Sequence, residues 1–395
     1  MEEVGITGGR GAPASSEAVI DLSAIAGNAA VARRLTSAAV MAVVKANAFG
    51  HGAVPVARAA LAGGASWLGV ASPAEALLLR NAGIEAPILA WLFHPSRDLR
   101  AAVCGDIQLS VSSAGHMGAV VAAARATGRT VAVHLKIDTG MARGGAAPED
   151  WPDLVRTAYL HERAGLIDVR GVWSHLADSD DPVAALVPRQ VARFEAAVAL
   201  AERVGLRPSV RHLANSSAAL HHPGTHFDMV RFGIGLYGVE PVPDHPTGLR
   251  GAMTLHAPIV QTRRVRAGTG VSYRHDYVTP TSTRLGLVPV GYADGLPRSA
   301  SAHAQVWVGV ERRPVAGRIS MDQFVVDLGI RASEPDHVVV FGPGTGGEPT
   351  VAEWATWAGT IPHEVLTGIG ARVRRRWIGA VPDLPPAACS EARHA

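Results

Sequence analysis

Short apolar runs recur along the first two-thirds of the chain with helical stretches between them, and no other feature restricts the fold as much. They span Val40 to Val44, Ser66 to Val70, Pro87 to Leu92, Ile107 to Val111, Val131 to Ile137, Val169 to Trp173, Ser209 to Leu213 and Asp228 to Phe232. The intervening segments carry helix signals. Ser72-Pro73-Ala74-Glu75 is a capping box with proline at the first helical position, opening a helix that closes near Gly83. Val191 to Val204 is strongly periodic and ends at Gly205. Eight strands alternating with helices point to a (β/α)8 TIM-type barrel. A doubly wound sheet is the alternative, because strand count alone cannot close a barrel.

Beyond Arg250 the texture changes. Proline and glycine punctuate short runs at Pro258 to Val265, Arg284 to Val290, Gln305 to Val310, Phe324 to Leu328 and His337 to Phe341. Helical periodicity is nearly absent until Val351 to Trp357, so a mostly antiparallel β domain is expected there, joined through Pro241 to Gly248. The resulting division is a disordered lead over 1–16, a barrel over 17–248, a β domain over 249–382 and a disordered tail over 383–395. With 395 residues, 48% hydrophobic and only 18% charged, two cored domains are affordable and global disorder is excluded.

The net charge of +3 is too small for its sign to imply a polyanionic partner. Arg372-Val373-Arg374-Arg375-Arg376-Trp377 is the densest basic run and reads as a solvated surface rather than a nucleic-acid contact. The two cysteines, Cys104 and Cys389, are too far apart to suggest a disulfide framework or a thiolate metal site. No run has membrane length and no secretory pattern opens the chain, so a cytoplasmic protein with no membrane partner is expected.

Polar residues gather at one end of the strands. Lys45 ends the first and Lys136 lies near the end of the fifth. His175 follows the sixth, Asn215 and Ser216 follow the seventh, and Arg231 ends the eighth with Gly233 beyond it. Barrel enzymes build their sites at that face, often holding a phosphate on the loops after strands seven and eight. A lysine at a strand end among apolar neighbours is a candidate for imine chemistry, since desolvation lowers an amine pKa and frees its lone pair. A surface lysine at a strand exit is the competing reading.

Gly233-Ile234-Gly235-Leu236-Tyr237-Gly238 matches G-x-G-x-x-G after a strand, but a dinucleotide site needs a helix next. Val239-Glu240-Pro241-Val242-Pro243 cannot start one, so a single phosphate cradle is the better use of those backbone N–H groups. His221-His222-Pro223-Gly224-Thr225-His226 has no carboxylate or thiolate at ligand spacing, and no metal is expected. A serine-hydrolase elbow is missing too.

Eight strings together resemble the alanine racemase family, in that family's order and over roughly residues 18 to 378. They begin with Val43-Val44-Lys45-Ala46-Asn47-Ala48-Phe49-Gly50-His51-Gly52 and His134-Leu135-Lys136-Ile137-Asp138-Thr139-Gly140-Met141-Ala142-Arg143-Gly144. Trp173-Ser174-His175, His212-Leu213-Ala214-Asn215-Ser216 and Asp228 through Gly238 follow. Gly270-Val271-Ser272-Tyr273, Gly291-Tyr292-Ala293-Asp294-Gly295 and Gly317-Arg318-Ile319-Ser320-Met321-Asp322 complete the series.

The resemblance implies a barrel with a C-terminal β domain, pyridoxal 5'-phosphate as cofactor, a small-molecule substrate and a homodimer with shared active sites. Lys45 would hold the cofactor and act as base on the D-face, and Tyr273 of the partner subunit would be the base on the L-face. A tyrosine of ordinary pKa is a poor base at neutral pH and needs positive neighbours, for which His175 and Arg231 are the candidates. Arg231 would face the pyridine nitrogen and keep it unprotonated, because arginine does not give up its proton. Arg143 and the backbone N–H of Met321 would hold the substrate carboxylate. Lys136 matches a lysine carbamylated in many members, and a carbamate there could orient Arg143. Asn215, Ser216, Gly233 and Ile234 would contact the cofactor, with Tyr292 and Asp322 in support.

Two positions depart from the family pattern. The tyrosine expected in the lysine motif is Phe49, and near the Arg-Val segment at the C-terminus Ala371 stands where a second phosphate tyrosine is expected. Each lost hydroxyl removes about 1 to 3 kcal/mol of hydrogen bonding to a charged phosphate. Alanine racemisation feeding cell-wall D-alanine is the activity implied, and racemisation of another small amino acid such as serine is the alternative. A barrel decarboxylase would also use Lys45 but conflicts with Arg231 at the ring nitrogen, and a non-catalytic cofactor binder would not need Tyr273.

Overall fold

The computed structural model describes residues 15–380, apart from 182, 184, 243, 244 and 331–334. The expected lead (but for its last two residues) and the expected tail lie outside the described residues, as does Cys389. The described chain forms two compact units. One is Leu22–Arg250; the other combines residues 15–21 with Gly251–Ile378.

The first strand, β1 (Glu17–Asp21), goes with the second unit and not with the barrel that the sequence reading began at residue 17. Its backbone pairs antiparallel with Met253–Pro258 and parallel with Arg374–Ile378. Nothing local in five residues announces partners more than two hundred positions away.

The first unit is the barrel. Its strands are β2 (Ala39–Val43), β3 (Trp67–Val70), β4 (Ile88–Ala90), β5 (Ile107–Val111), β6 (Val131–Lys136), β7 (Ile167–Trp173), β8 (Val210–His212) and β9 (Met229–Phe232). All neighbours pair in parallel, in the order β8-β7-β6-β5-β4-β3-β2-β9. The remaining seam carries backbone bonds from Asp228 N–H to Arg211 O (3.0 Å) and from Arg231 N–H to Ala214 O (3.0 Å), so the barrel is nearly closed. Each of the eight apolar runs read from the sequence overlaps one of these strands, and the bonded seam decides for the barrel over the doubly wound sheet. Met41, Leu89 and Met229, fully buried, pack with Trp67, Trp91 and Val210 inside this unit. Helices lie between the strands, and the capping box is present: Ser72 Oγ accepts from Glu75 N–H (3.3 Å) while Glu75 accepts from Ser72 N–H (3.0 Å).

The second unit holds β10 (Met253–Pro258), β11 (Gln261–Val265), β12 (Gly270–Val271), β13 (Tyr277–Val278), β14 (Thr283–Val288), β15 (Gln305–Val308), β16 (Glu311–Pro314), β17 (Phe324–Gly329), β18 (His337–Phe341) and β19 (Arg374–Ile378). One sheet runs β16-β15-β18-β10-β1-β19, a second β11-β14-β17, and β12 and β13 form a hairpin. Only the β1–β19 pair is parallel, so the expected mostly antiparallel domain is what forms. Helices Val351–Ala358 and Pro362–Gly368 lie between β18 and β19, the second unforeseen from periodicity.

The basic run near the C-terminus is strand β19 and its lead-in, not a free cationic surface. Arg374 and Arg376 grip buried Glu17 at 2.5 and 2.8 Å, and Arg372 reaches Asp322 at 2.7 Å and Asp294 at 3.2 Å. Among the described residues, no helix is long and apolar enough to cross a membrane.

Candidate active site

The lysine stretch folds in a way its sequence conceals. After β2, Lys45–Phe49 wind one turn, and Ala46, Asn47, Ala48 and Phe49 all take left-handed φ values of 52 to 53°. For non-glycine residues that costs roughly 1–2 kcal/mol each, so neighbouring groups must hold the turn. Glu75 Oε1 accepts from Ala46 N–H (2.7 Å), Asn47 Oδ1 from Ala53 N–H (2.9 Å), and Ala48 N–H donates to Val44 O (2.9 Å). The Asn47 bond also satisfies the first N–H of the helix Ala53–Ala62. The turn leaves Lys45 half-buried where β2 ends.

Because the barrel strands are parallel, the other candidates emerge at the same end. Lys136 closes β6, His175 follows β7, Asn215 and Ser216 follow β8, Arg231 is the penultimate residue of β9, and Gly233 and Ile234 come next. Burial lowers the Lys45 amine, Arg143 lowers it further, and Glu75 opposes both. Burial with Arg231 and Arg143 brings Lys136 down to about 8. Lys45, Lys136, Arg143 and Arg231 thus crowd one end of the barrel, opposed by the Glu75 and Asp138 carboxylates, which leaves an excess of positive charge suited to anions.

Arg231 is buried and well held. Its guanidinium donates to Ser174 O (2.9 Å), Leu213 O (3.0 Å), His175 Nδ1 (3.1 Å) and His212 Nδ1 (3.3 Å), and lies 5.0 Å from the centre of the Trp173 ring. Burial lowers it to about 9, so it remains a cation at neutral pH.

Its donation fixes a chain of tautomers, because arginine cannot accept. His212 Nδ1 accepts from Arg231, so its Nε2–H donates to His134 Nδ1 at 2.9 Å. His134 Nε2–H then donates to Gln108 Oε1 at 2.8 Å. Burial holds His212 far below its ordinary pKa and brings His134 to about 3, so both are neutral links.

His175 corrects an expectation. Proposed above as a positive neighbour for a tyrosine base, it is neutral: burial and then the Arg231, Arg143, Lys136 and Lys45 charges press it to about 2. It can help only as a hydrogen-bonding ring.

The glycine-rich exit after β9 behaves as a cradle. Ser216 Oγ accepts from Gly233 N–H (2.8 Å) and Gly235 N–H (3.3 Å), two donors converging on one oxygen. Such convergence suits a phosphate oxygen equally. Ile234 is buried beside them, whereas the Asn215 side chain is engaged as the cap of the helix Ser216–His221, accepting from Ala218 N–H (3.0 Å) and Ser179 Oγ (2.9 Å). Phe49 is buried with its ring centre 4.6 Å from that of Tyr237, whose hydroxyl donates to Val43 O (2.9 Å). A depressed lysine amine, a buried cation and a two-donor cradle at one strand end fit the aldehyde, ring nitrogen and phosphate of pyridoxal phosphate.

The second unit carries Tyr273, Tyr292, Met321 and Asp322. Tyr273 is 64% exposed and lines a cleft of about 370 Å³ with Ser272, Arg318, Ser320, Gln323 and others of the same unit. Tyr292 N–H donates to Ser320 O (3.0 Å) and Ala293 N–H to Met321 O (2.9 Å), which locks the Tyr292 turn to the Met321 turn. A side chain on Gly291 would lie 2.3 Å from Ser320 O, so only glycine permits this approach.

Glu75 is legible in the sequence only as a cap, yet it also ties down the turn after Lys45. His134, Gln108 and Trp173 support the site from positions whose role the sequence does not show. Two of these lay within quoted strings, but nothing local links them to Arg231.

Family models described as "Alanine racemase, N-terminal domain" and "Alanine racemase, C-terminal domain" match residues 20–241 and 252–377. An alanine racemase of Frankia casuarinae is 49% identical over 378 residues, covering 93% of this chain and 98% of the relative. One from Thermobifida fusca is 50% identical over 370 residues, covering 93% and 99%. The crystal structure of alanine racemase from Streptomyces lavendulae superposes with a TM-score of 0.92 at 49% identity, covering 94% of this chain and 98% of that one. That of Bartonella henselae alanine racemase, with covalently bound pyridoxal phosphate, gives 0.83 at 30% identity, covering 93% and 100%.

Proposed function

The chain belongs to the alanine racemase family, and from that premise we propose that it interconverts L- and D-alanine with pyridoxal phosphate, by two bases, Lys45 and Tyr273. The observation that carries this reading is Lys45 itself: a half-buried amine, lowered by desolvation, at the cation-rich end of a barrel. The D-alanine would serve cell-wall peptidoglycan, and the working form would be a cytoplasmic homodimer in which Tyr273 completes the partner's site.

Lys45 would hold the cofactor's aldehyde carbon, Arg231 its ring nitrogen, and Ser216, Gly233 and Ile234 its phosphate, with His175 and Asn215 alongside. Bound there, pyridoxal phosphate supplies an electron sink for the pair left when a substrate Cα–H bond breaks. Lys45, with its depressed pKa, takes or returns the Cα proton on one face, and Tyr273 does so on the other. Arg231 would donate a hydrogen bond to the ring nitrogen while keeping its own proton, which leaves that nitrogen unprotonated. Arg143 and the Met321 N–H hold the substrate carboxylate, and Lys136, free or as a carbamate, sets the charge beside Arg143. Tyr292 and Asp322 keep the Met321 turn in place.

A second reading, racemisation of serine or another small amino acid, is favoured by Phe49, whose missing hydroxyl changes the site wall. The test is a panel of L-amino acids incubated with the purified protein and analysed by chiral chromatography. D-Alanine as the main product is expected, and Lys45→Ala should form none and should trap no cofactor on borohydride reduction. Turnover of serine but not alanine would favour the second reading. A Lys45→Ala protein still carrying reduced cofactor would sink the assignment of Lys45.

A further inference from the structure

Tyr273 sits in the loop of a short hairpin, between β12 and β13. Strands β12 and β13 have two residues each, and between them Ser272, Arg274 and His275 take positive φ values of 63, 62 and 55°. Non-glycine residues persist in that region only where surrounding structure over-determines them. Tyr273, largely exposed, contributes little to holding it.

The restraint comes from outside the hairpin but within the same unit. Ser272 Oγ donates to Arg318 O (2.9 Å), and Asp276 pairs with the Arg318 guanidinium. Gly317 makes this approach possible, since a side chain there would meet Val271 O at 2.7 Å. The third tie is the Tyr277 hydroxyl, which donates to Asp327 Oδ2 at 2.6 Å. Asp327 is only 8% exposed, and its other oxygen accepts from Thr283 Oγ1 and from Gly329 N–H (3.0 Å). A carboxylate with three donors cannot turn, and it stands on β17, which pairs with β14.

From this geometry we infer that Asp327 is a positioning residue for the reaction: through Tyr277 it sets where the Tyr273 hydroxyl is held. The inference rests on the reading of Tyr273 as the L-face base. Tyr277 itself stays a phenol, since burial and the Asp327 bond raise its pKa. Loss of the tie should therefore slow proton transfer at Tyr273 and spare transfer at Lys45.

Full-length enzyme loaded with pyridoxal phosphate supplies the test, as wild type, Tyr277→Phe and Asp327→Asn. Tyr277→Phe keeps the ring and its packing, and thermal melting checks that the fold survives. Because the equilibrium constant between enantiomers is fixed, kcat/KM must fall equally in both directions, by roughly ten- to a hundredfold for a misplaced base. Primary isotope effects with alanine deuterated at Cα separate the two transfers. The effect on kcat/KM should rise for L-alanine, whose proton Tyr273 removes, and fall for D-alanine, whose proton Lys45 removes. Asp327→Asn, which keeps an acceptor for Tyr277, should shift both in the same sense but less.

A merely structural role would reduce the active fraction and leave both isotope effects at their wild-type values, which would overturn the inference. Tyr273→Phe separates the two levels. If that variant remains active, the base assignment fails; if it is inactive while Tyr277→Phe shows wild-type isotope effects, only the positioning role of Asp327 fails.

Discussion

Phe49 is one of the two residues at which this chain departs from the family pattern. Its Cζ comes within 3.8 Å of where a Gly233 side chain would begin, so a para-hydroxyl would project toward the cradle formed by Gly233 and Ser216. Phe49→Tyr should therefore slow loss of pyridoxal phosphate on dialysis, by up to the 1 to 3 kcal/mol or so of a hydrogen bond to a charged group. Absorbance of the retained cofactor measures it, and unchanged or faster loss would show that the phosphate does not reach this wall. Arg231 makes a complementary point at the same scale. The sequence supplies a cation, but the four acceptors that orient it come from Ser174, His175, His212 and Leu213.

At the scale of elements, the left-handed turn after β2 is an expensive local structure held by a distant cap. Glu75→Ala removes both the capping-box partner of Ser72 and the acceptor for Ala46 N–H. A cost of about 2 kcal/mol is expected, roughly one for the cap and one for the lost tie. Chemical denaturation followed at the barrel transition would register it, and a change below a few tenths would mean the turn is held without Glu75. The buried histidines give the barrel an acid limit. Burial lowers His134 to about 3 and His175 to about 2, and it lowers His212 well below 6.5, so the unfolded chain binds protons that the folded one refuses. Stability should therefore be full above about pH 6.5 and fall as pH drops from there toward 3, by up to about 1.4 kcal/mol per pH unit for each histidine. His134→Asn should flatten that slope by about one proton's worth; an unchanged slope would mean His134 is protonated in the folded barrel.

At the scale of the whole molecule, the proposed sharing of sites predicts complementation. Lys45→Ala and Tyr273→Phe should each be nearly inactive alone. Refolded together in equal amounts, half the dimers should be mixed by random pairing, each with one intact site of two, so about a quarter of wild-type activity should return. Mixed dimers that form and stay inactive would place both bases on one chain.

Much of this protein is legible in its sequence, because helix periodicity, caps and apolar runs act over a few residues. The eight barrel strands, the capping box at Ser72 and the clustering of polar residues at strand ends are of that kind. Where an interaction joins distant positions, the chain carried no local mark of it. Glu17 meets Arg374 across 357 residues, His134 meets His212 across 78, and Tyr277 meets Asp327 across 50. The charge state of His175 belongs to the same class. Its side chain is ordinary in sequence and is made neutral by burial among Arg231, Arg143, Lys136 and Lys45. Composition and spacing determined which elements form and which residue types stand at their ends. Burial and long-range pairing, which exist only once the chain has folded, decided which of those residues are charged, which are held, and by what.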